Sequence, residues 1–122
     1  MFAHIGLHVK DLDAAIAFYR AVLAPLGHDL CSRDEVSASF GSSADPALYL
    51  YSTPRGPTSS THLALRAEQR GAVRAFHEQG LRAGAKDHGA PGLRSDYSPD
   101  YYAAFLIDPD GNNVEAVCLT RQ

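Results

Sequence analysis

Two histidines and one glutamate occupy the positions from which this chain could do chemistry. His4 and His62 superpose when the sequence is laid on itself at an offset of 58 residues: His4-Ile5-Gly6-Leu7-His8-Val9 aligns with His62-Leu63-Ala64-Leu65-Arg66-Ala67. The match continues through Ala14/Ala72, Ala17/Ala75, Phe18/Phe76 and Leu23/Leu81, so the two halves read as copies of one unit. Each copy opens with an alternating strand whose first outward residue is His, then enters an amphipathic helix. A pseudo-two-fold relation between the copies would bring the two imidazoles near each other on one face. Glu115 sits on the last strand, and its neighbours Val114 and Ala116 face the other way. Two imidazoles and a carboxylate form a facial set that leaves coordination positions open for substrate or water. One divalent ion, Zn, Ni, Fe, Mn or Co, suits such ligands, and ligand type does not choose among them. His8 faces the same way as His4, about 7 Å further along the strand, and is the nearest proton carrier.

Taken singly, these residues have plainer readings. A lone histidine on a strand face is most often a satisfied polar residue, and a glutamate early in a final strand is usually a solvated charge. Three good ligands at three corresponding positions argue against that reading for His4, His62 and Glu115. Asp108 and Asp110 read as turn residues. His28, His77 and His88 fall in a loop, on a helix and in an irregular segment, which predicts surface positions for all three.

The elements that must position the set follow from periodicity. Phe2 to Val9 reads as a strand with Ile5, Leu7 and Val9 pointing one way and His4, Gly6 and His8 the other. Asp11 can cap the helix that follows, whose Leu12, Ala15, Ile16, Tyr19, Val22 and Leu23 form an apolar stripe closed by Pro25 and Gly27. Strands are predicted around Asp29 to Ser32, Val36 to Phe40 and Ala47 to Tyr51. Turn formers with two prolines fill the connector at about 53–60. It joins a first module, about 1–52, to a second, about 61–122, in one domain spanning 1–122. The second module repeats the plan with a strand from His62 to Ala67 and a helix from Gln69 to Gln79 that Gly80 would end in the left-handed conformation. Lys86 to Pro99 reads as a long irregular segment, pliable at Gly89 and Gly92, and is expected to form a flap carrying Arg94 and Tyr97. Tyr101 to Asp108, a turn at Asp108-Pro109-Asp110-Gly111-Asn112 and a strand from Asn113 to Leu119 finish the chain.

Composition narrows the function classes. A chain of 122 residues, 45% hydrophobic and 20% charged, can bury a real core. Its net charge of −3, with Lys and Arg scattered singly, offers no basic stripe for nucleic acid. The longest apolar run, Ala103 to Ile107, is too short to cross a bilayer, so a cytoplasmic protein with no membrane partner is expected. Cys31 and Cys118 are the only cysteines, without metal or redox spacing, and read as reduced structural thiols. A phosphate-binding glycine loop, a Rossmann fingerprint, a Gly-x-Ser-x-Gly elbow and a His-Glu-x-x-His helix are all missing from the sequence.

The run His4-Ile5-x-Leu7-x-Val9-x-Asp11, the pair Phe18-Tyr19 and the closing Asp108-Pro109-Asp110-Gly111-Asn112-x-Val114-Glu115 together resemble the vicinal oxygen chelate superfamily, across essentially the whole chain. That superfamily includes glyoxalase I, the bleomycin-resistance proteins, the fosfomycin-resistance enzymes and the extradiol dioxygenases. The resemblance implies an α+β fold of two paired βαβββ modules whose mixed sheet forms a cup. It also implies a divalent metal on the concave face at the positions matched by His4, His62 and Glu115, and a homodimer. It implies an enzyme, a lyase, isomerase or ring-cleaving dioxygenase, that chelates vicinal oxygens of a small molecule and stabilises an oxyanion, with Glu115 and His8 as catalytic candidates. Tyr49, Arg94, Tyr97, Tyr101 and Tyr102 are candidate pocket residues. One departure is visible: Tyr49 stands where glyoxalase I has a fourth ligand, a glutamate that also serves as base. The alternative class is a metal-free protein of the bleomycin-resistance type that sequesters a drug or other small molecule.

Overall fold

The computed structural model describes residues 1–122, and its elements follow the repeat. Module 1 comprises β1 (Ile5–Val9), α1 (Leu12–Leu23), a 3-10 turn (Ala24–Leu26), β2 (Asp29–Arg33), β3 (Ser37–Ser42) and β4 (Asp45–Ser52). Module 2 comprises β5 (His62–Arg66), α2 (Arg70–Arg82), β6 (Lys86–Leu93), β7 (Tyr102–Ile107) and β8 (Asn113–Cys118). The sheets have the same order, β1-β4-β3-β2 and β5-β8-β7-β6, so the first strand of each module is an edge strand lying parallel to its last. This is the expected α+β architecture of two βαβββ modules.

Local chemistry explains the elements. Asp11 accepts a hydrogen bond from the Ala14 amide and caps α1, and Gly27 takes a left-handed φ of 88° to turn the chain into β2. Alternation sends Leu7 and Val9 of β1, Leu48 and Leu50 of β4, and Val114 and Ala116 of β8 into the interior. Both helices lay their stripes on their own sheets and on each other, so one hydrophobic core runs through the two modules.

A polar knot crosses that core. Buried Asp108 accepts hydrogen bonds from the Tyr19 hydroxyl at 2.5 Å, the Asn112 amide and the Asn112 side chain, both at 2.8 Å, and the Asp110 amide at 2.9 Å. Asn112 in turn accepts from the Thr61 amide just before β5. Burial, and then the neighbouring Asp108 carboxylate, hold the Tyr19 phenol well above its ordinary pKa, so it remains a donor.

Three expectations from sequence are corrected. The stretch from Lys86 is not irregular: through Leu93 it pairs with β7 as β6, with register shifts at the glycines, because two-sided glycines interrupt the pattern without breaking the ladder. His77 is only 9% exposed and its Nε2 lies 2.9 Å from Asp87 Oδ1, so it bridges α2 to β6 rather than facing solvent. The Asp87 carboxyl is held below its ordinary pKa by that bond first and by the Gly89 amide second. Gly80 does not end α2. The helix runs on to Arg82 and Gly84 takes the left-handed φ of 93° instead.

Gly80 is in the helix because of packing. A Cβ there would lie 2.2 Å from Leu106 Cδ1 and 3.1 Å from Val22 Cγ1, both on fully buried residues. Glycine to alanine in a helix interior ordinarily stabilises by about 1 kcal/mol, whereas overpacking a core costs about 1–3 kcal/mol. Overpacking wins here, and Gly80→Ala is expected to lower the unfolding free energy by roughly 1 kcal/mol in urea melts; a gain in stability would show that the two helices have slack.

Candidate functional site on the exposed sheet face of module 2

Glu115 is on β8, between β5 and β7, opposite Ala64 on one side and Phe105 on the other. Paired on both edges, the strand fixes its backbone, and alternation turns Glu115 away from the core that Val114 and Ala116 enter. The residue is nevertheless only 2% exposed. His62 Nε2 lies 2.8 Å from Oε1, and the Tyr101 hydroxyl donates to Oε2. With the carboxylate ionised, both partners must supply the hydrogen. Burial first, then the bond to Glu115, pushes the Tyr101 phenol up to about 12, so it stays protonated at neutral pH. Tyr97, 65% exposed, closes edge-on against Tyr101 with ring centroids 5.0 Å apart.

The same register in module 1 sets Gly6 opposite Tyr49, so Tyr49 occupies the position equivalent to Glu115. His4 packs edge-on against Tyr49 at 5.0 Å, and His8 tilts against Tyr51 at 5.7 Å. A single chain therefore joins His62 to Glu115 and leaves His4 and His8 on the other sheet. No group of three or more His, Cys, Asp or Glu stands close enough in the chain to hold a metal ion. Two donors at right angles and about 2.1 Å from one metal are about 3.0 Å apart, so His62 and Glu115 fit two corners of a centre, and the third must come from elsewhere. An apolar cleft of about 200 Å³ lies at the junction of the modules beside His4, with Ile5, Leu48, Leu63 and Leu65 in its walls; it is not at Glu115, and the buried carboxylate is the better guide to chemistry.

Arg94 and Tyr102 are placed differently from the sequence reading. Arg94 is no flap residue with a free guanidinium: it donates to the Ala90 carbonyl at 2.7 Å and the Gly92 carbonyl at 2.9 Å and lies over the Phe105 ring, 5.4 Å from its centroid. A Cβ on Gly89 or Gly92 would come within 3.2 Å of that group, so the glycines make room for it. Tyr102 alternates onto the helix side, where Arg70 and Arg74 lie over its ring and Arg74 donates to its hydroxyl at 3.3 Å. Tyr101, one candidate among five in sequence, is the one that touches Glu115. Its signal was parity: Tyr101, Ala103 and Phe105 share a face, and Phe105 is the cross-strand partner of Glu115.

The family model for the Glyoxalase/Bleomycin resistance protein/Dioxygenase superfamily matches residues 1–116. Among solved structures, a glyoxalase/bleomycin resistance protein from Albidiferax ferrireducens T118 is 29% identical, with a TM-score of 0.81, and the match covers 97% of this chain and 98% of that one. A glyoxalase/bleomycin resistance protein/dioxygenase family enzyme from Burkholderia phytofirmans PsJN, 17% identical, shares the fold at a TM-score of 0.72 over 97% and 98% of the chains. A glyoxalase-related enzyme from Fulvimarina pelagi, 19% identical, shares it at 0.74 over 97% and 87%. No curated protein matches the sequence.

Two measurements check this geometry. Ultraviolet titration should show one tyrosine ionising near pH 12, and Glu115→Gln, which removes the negative charge that opposes phenolate formation, should move it down part of the way, because burial, the larger cause, remains; an unmoved titration would separate Tyr101 from Glu115. Arg94→Ala should destabilise the β6–β7 hairpin by about 1 kcal/mol through two lost carbonyl bonds and the lost ring contact. An unchanged melting temperature would leave Arg94 free for another role.

Proposed function

Because the chain belongs to the Glyoxalase/Bleomycin resistance protein/Dioxygenase superfamily, we propose that it is a small-molecule enzyme of the vicinal oxygen chelate kind, working as a homodimer in which His4 of a second copy joins His62 and Glu115 around one divalent metal. The observation that carries this reading is the buried carboxylate of Glu115, held at 2.8 Å from an imidazole on an exposed sheet face. Burying a carboxylate costs several kcal/mol unless it is bonded, and a fold rarely retains one on an open face without use for it.

The dimer follows from the edges. β1 and β5 are edge strands, each paired on one side only, no ladder joins the two sheets within one chain, and Phe2, Leu93 and Tyr97 are exposed. Free edges and exposed apolar side chains favour a second copy. A partner that laid its β1 beside β5 would deliver His4 to His62.

A divalent metal bound there would polarise two adjacent substrate oxygens. The remaining work belongs to this chain. Glu115, fixed by β8 between β5 and β7, accepts a proton in a site of low polarity. Tyr101, protonated at every physiological pH, donates its one hydroxyl hydrogen to the second carboxylate oxygen and so fixes how Glu115 is turned. His8, exposed on the module 1 face, is the candidate proton carrier to solvent. Tyr49 in place of a carboxylate removes the base that glyoxalase I chemistry uses, so the reaction is lyase, isomerase or ring-cleavage chemistry of another form.

One observation favours a second reading, a metal-free binder of the bleomycin-resistance type: both oxygens of Glu115 are already satisfied by protein donors. A mixing experiment separates the two. His4→Ala and Glu115→Ala proteins, each expected to have lost metal as homodimers, should regain it when mixed and refolded together, because the mixed dimer rebuilds one complete site. A monomeric mass in sedimentation, or metal content that neither variant lowers, would sink the shared centre.

A further inference from the structure

The exposed face of module 1 carries four rings in a continuous ladder. His4 meets Tyr49 at 5.0 Å and 64°, Tyr49 runs parallel to Tyr51 at 6.2 Å and 11°, and Tyr51 meets His8 at 5.7 Å and 37°. Strand geometry sets the spacing. Tyr49 and Tyr51 are two apart on β4 and share a face, while Gly6 and His8 are their partners on β1. The Tyr51 ring reaches diagonally over Gly6, where a Cβ would lie 2.6 Å from Cε2. Glycine weakens a strand, and here its bare backbone makes the space that lets the ring lie across β1.

The rings are not spent on the protein. Tyr19, Tyr101 and Tyr102 each have hydrogen-bonded hydroxyls, whereas those of Tyr49 and Tyr51 bond to no protein group. Tyr51 remains 37% exposed although neighbouring core positions are closed. Two nearly parallel phenol planes present π surface in one orientation, and the imidazoles at either end can donate to or accept from ring substituents.

We propose that this shelf binds a planar aromatic or heteroaromatic small molecule bearing a polar substituent, with Tyr51 as the stacking residue and Tyr49 aligned beside it. The inference deepens the proposed reading in which a second copy brings His4, and with it this module 1 face, to His62 and Glu115, and rests on it. It names the ring as the feature recognised and holds whether or not a metal is bound.

The shelf is tested with 2-naphthoate and decahydro-2-naphthoate, which share a carbon skeleton and a charge and differ in planarity. Calorimetry in EDTA keeps any metal out of the comparison. The wild-type protein should prefer the planar acid by at least about fivefold, the lower end of what stacking on an aromatic side chain contributes. Tyr51→Leu, which keeps an apolar side chain and loses the ring, should abolish the preference, and Tyr51→Phe should retain it. Gly6→Ala should weaken binding of the planar acid by displacing the Tyr51 ring, with the fold checked by circular dichroism. Equal affinity for the two acids, no binding of 2-naphthoate, or a preference that survives in Tyr51→Leu would overturn the proposal, whatever the metal content proves to be.

Discussion

The bonds around Asp108 are the constraint on which the rest depends. A carboxylate buried in an apolar core must find donors for both oxygens. Asp108 finds them in the hydroxyl of Tyr19 on α1, in the amides of its own turn and in Asn112, whose side-chain oxygen also receives the amide of Thr61. Those partners belong to both modules and to the strand ends that carry the chemistry. His62 starts one residue after Thr61, and Glu115 comes three residues after Asn112. Loosening the knot would therefore move the imidazole and the carboxylate relative to each other, and their contact is 2.8 Å long.

From that anchor the two modules acquire different tasks. Their registers are identical, with Gly6 opposite Tyr49 in one and Ala64 opposite Glu115 in the other. A single position thus decides what each face offers: a carboxylate in module 2, bonded to His62 and Tyr101, and an aromatic ring in module 1, edge-on to His4 and stacked with Tyr51. The repeated register supplies the geometry, and the residue at the equivalent position separates a face that carries a carboxylate from one that carries an aromatic ring.

Much of this was legible in the sequence for reasons that can be named. The repeat superposed His4 on His62, and superposing the closing strands placed Tyr49 against Glu115. Alternation set Leu7 and Val9 on one face of the first strand and Val114 opposite Glu115 on the last, and Asp11 marked the start of α1 through its side-chain cap. Where reading failed, a local signal had been outweighed by packing. Gly80 looked like a helix stop because glycine favours the left-handed conformation, but it stays helical because Leu106 and Val22 leave no space for a Cβ. The glycines of β6 looked like a flap because they carry no side-chain pattern, yet pairing with β7 and the bonds of Arg94 to two carbonyls keep the strand in place.

The sequence by itself determined most of the secondary structure, all but β6 and the end of α2, together with the two-fold plan and the candidate ligands, because periodicity, caps and turns act over a few residues and a repeat reports itself by self-similarity. Tertiary structure alone decided which of those candidates meet. His62 and Glu115 are 53 residues apart in the chain and touch because β5 and β8 are neighbours, whereas His4 is held on the other sheet against Tyr49. Equivalence under a repeat fixes each residue's place within its module. Distance between modules is set by how α1 and α2 pack, and no local pattern encodes it.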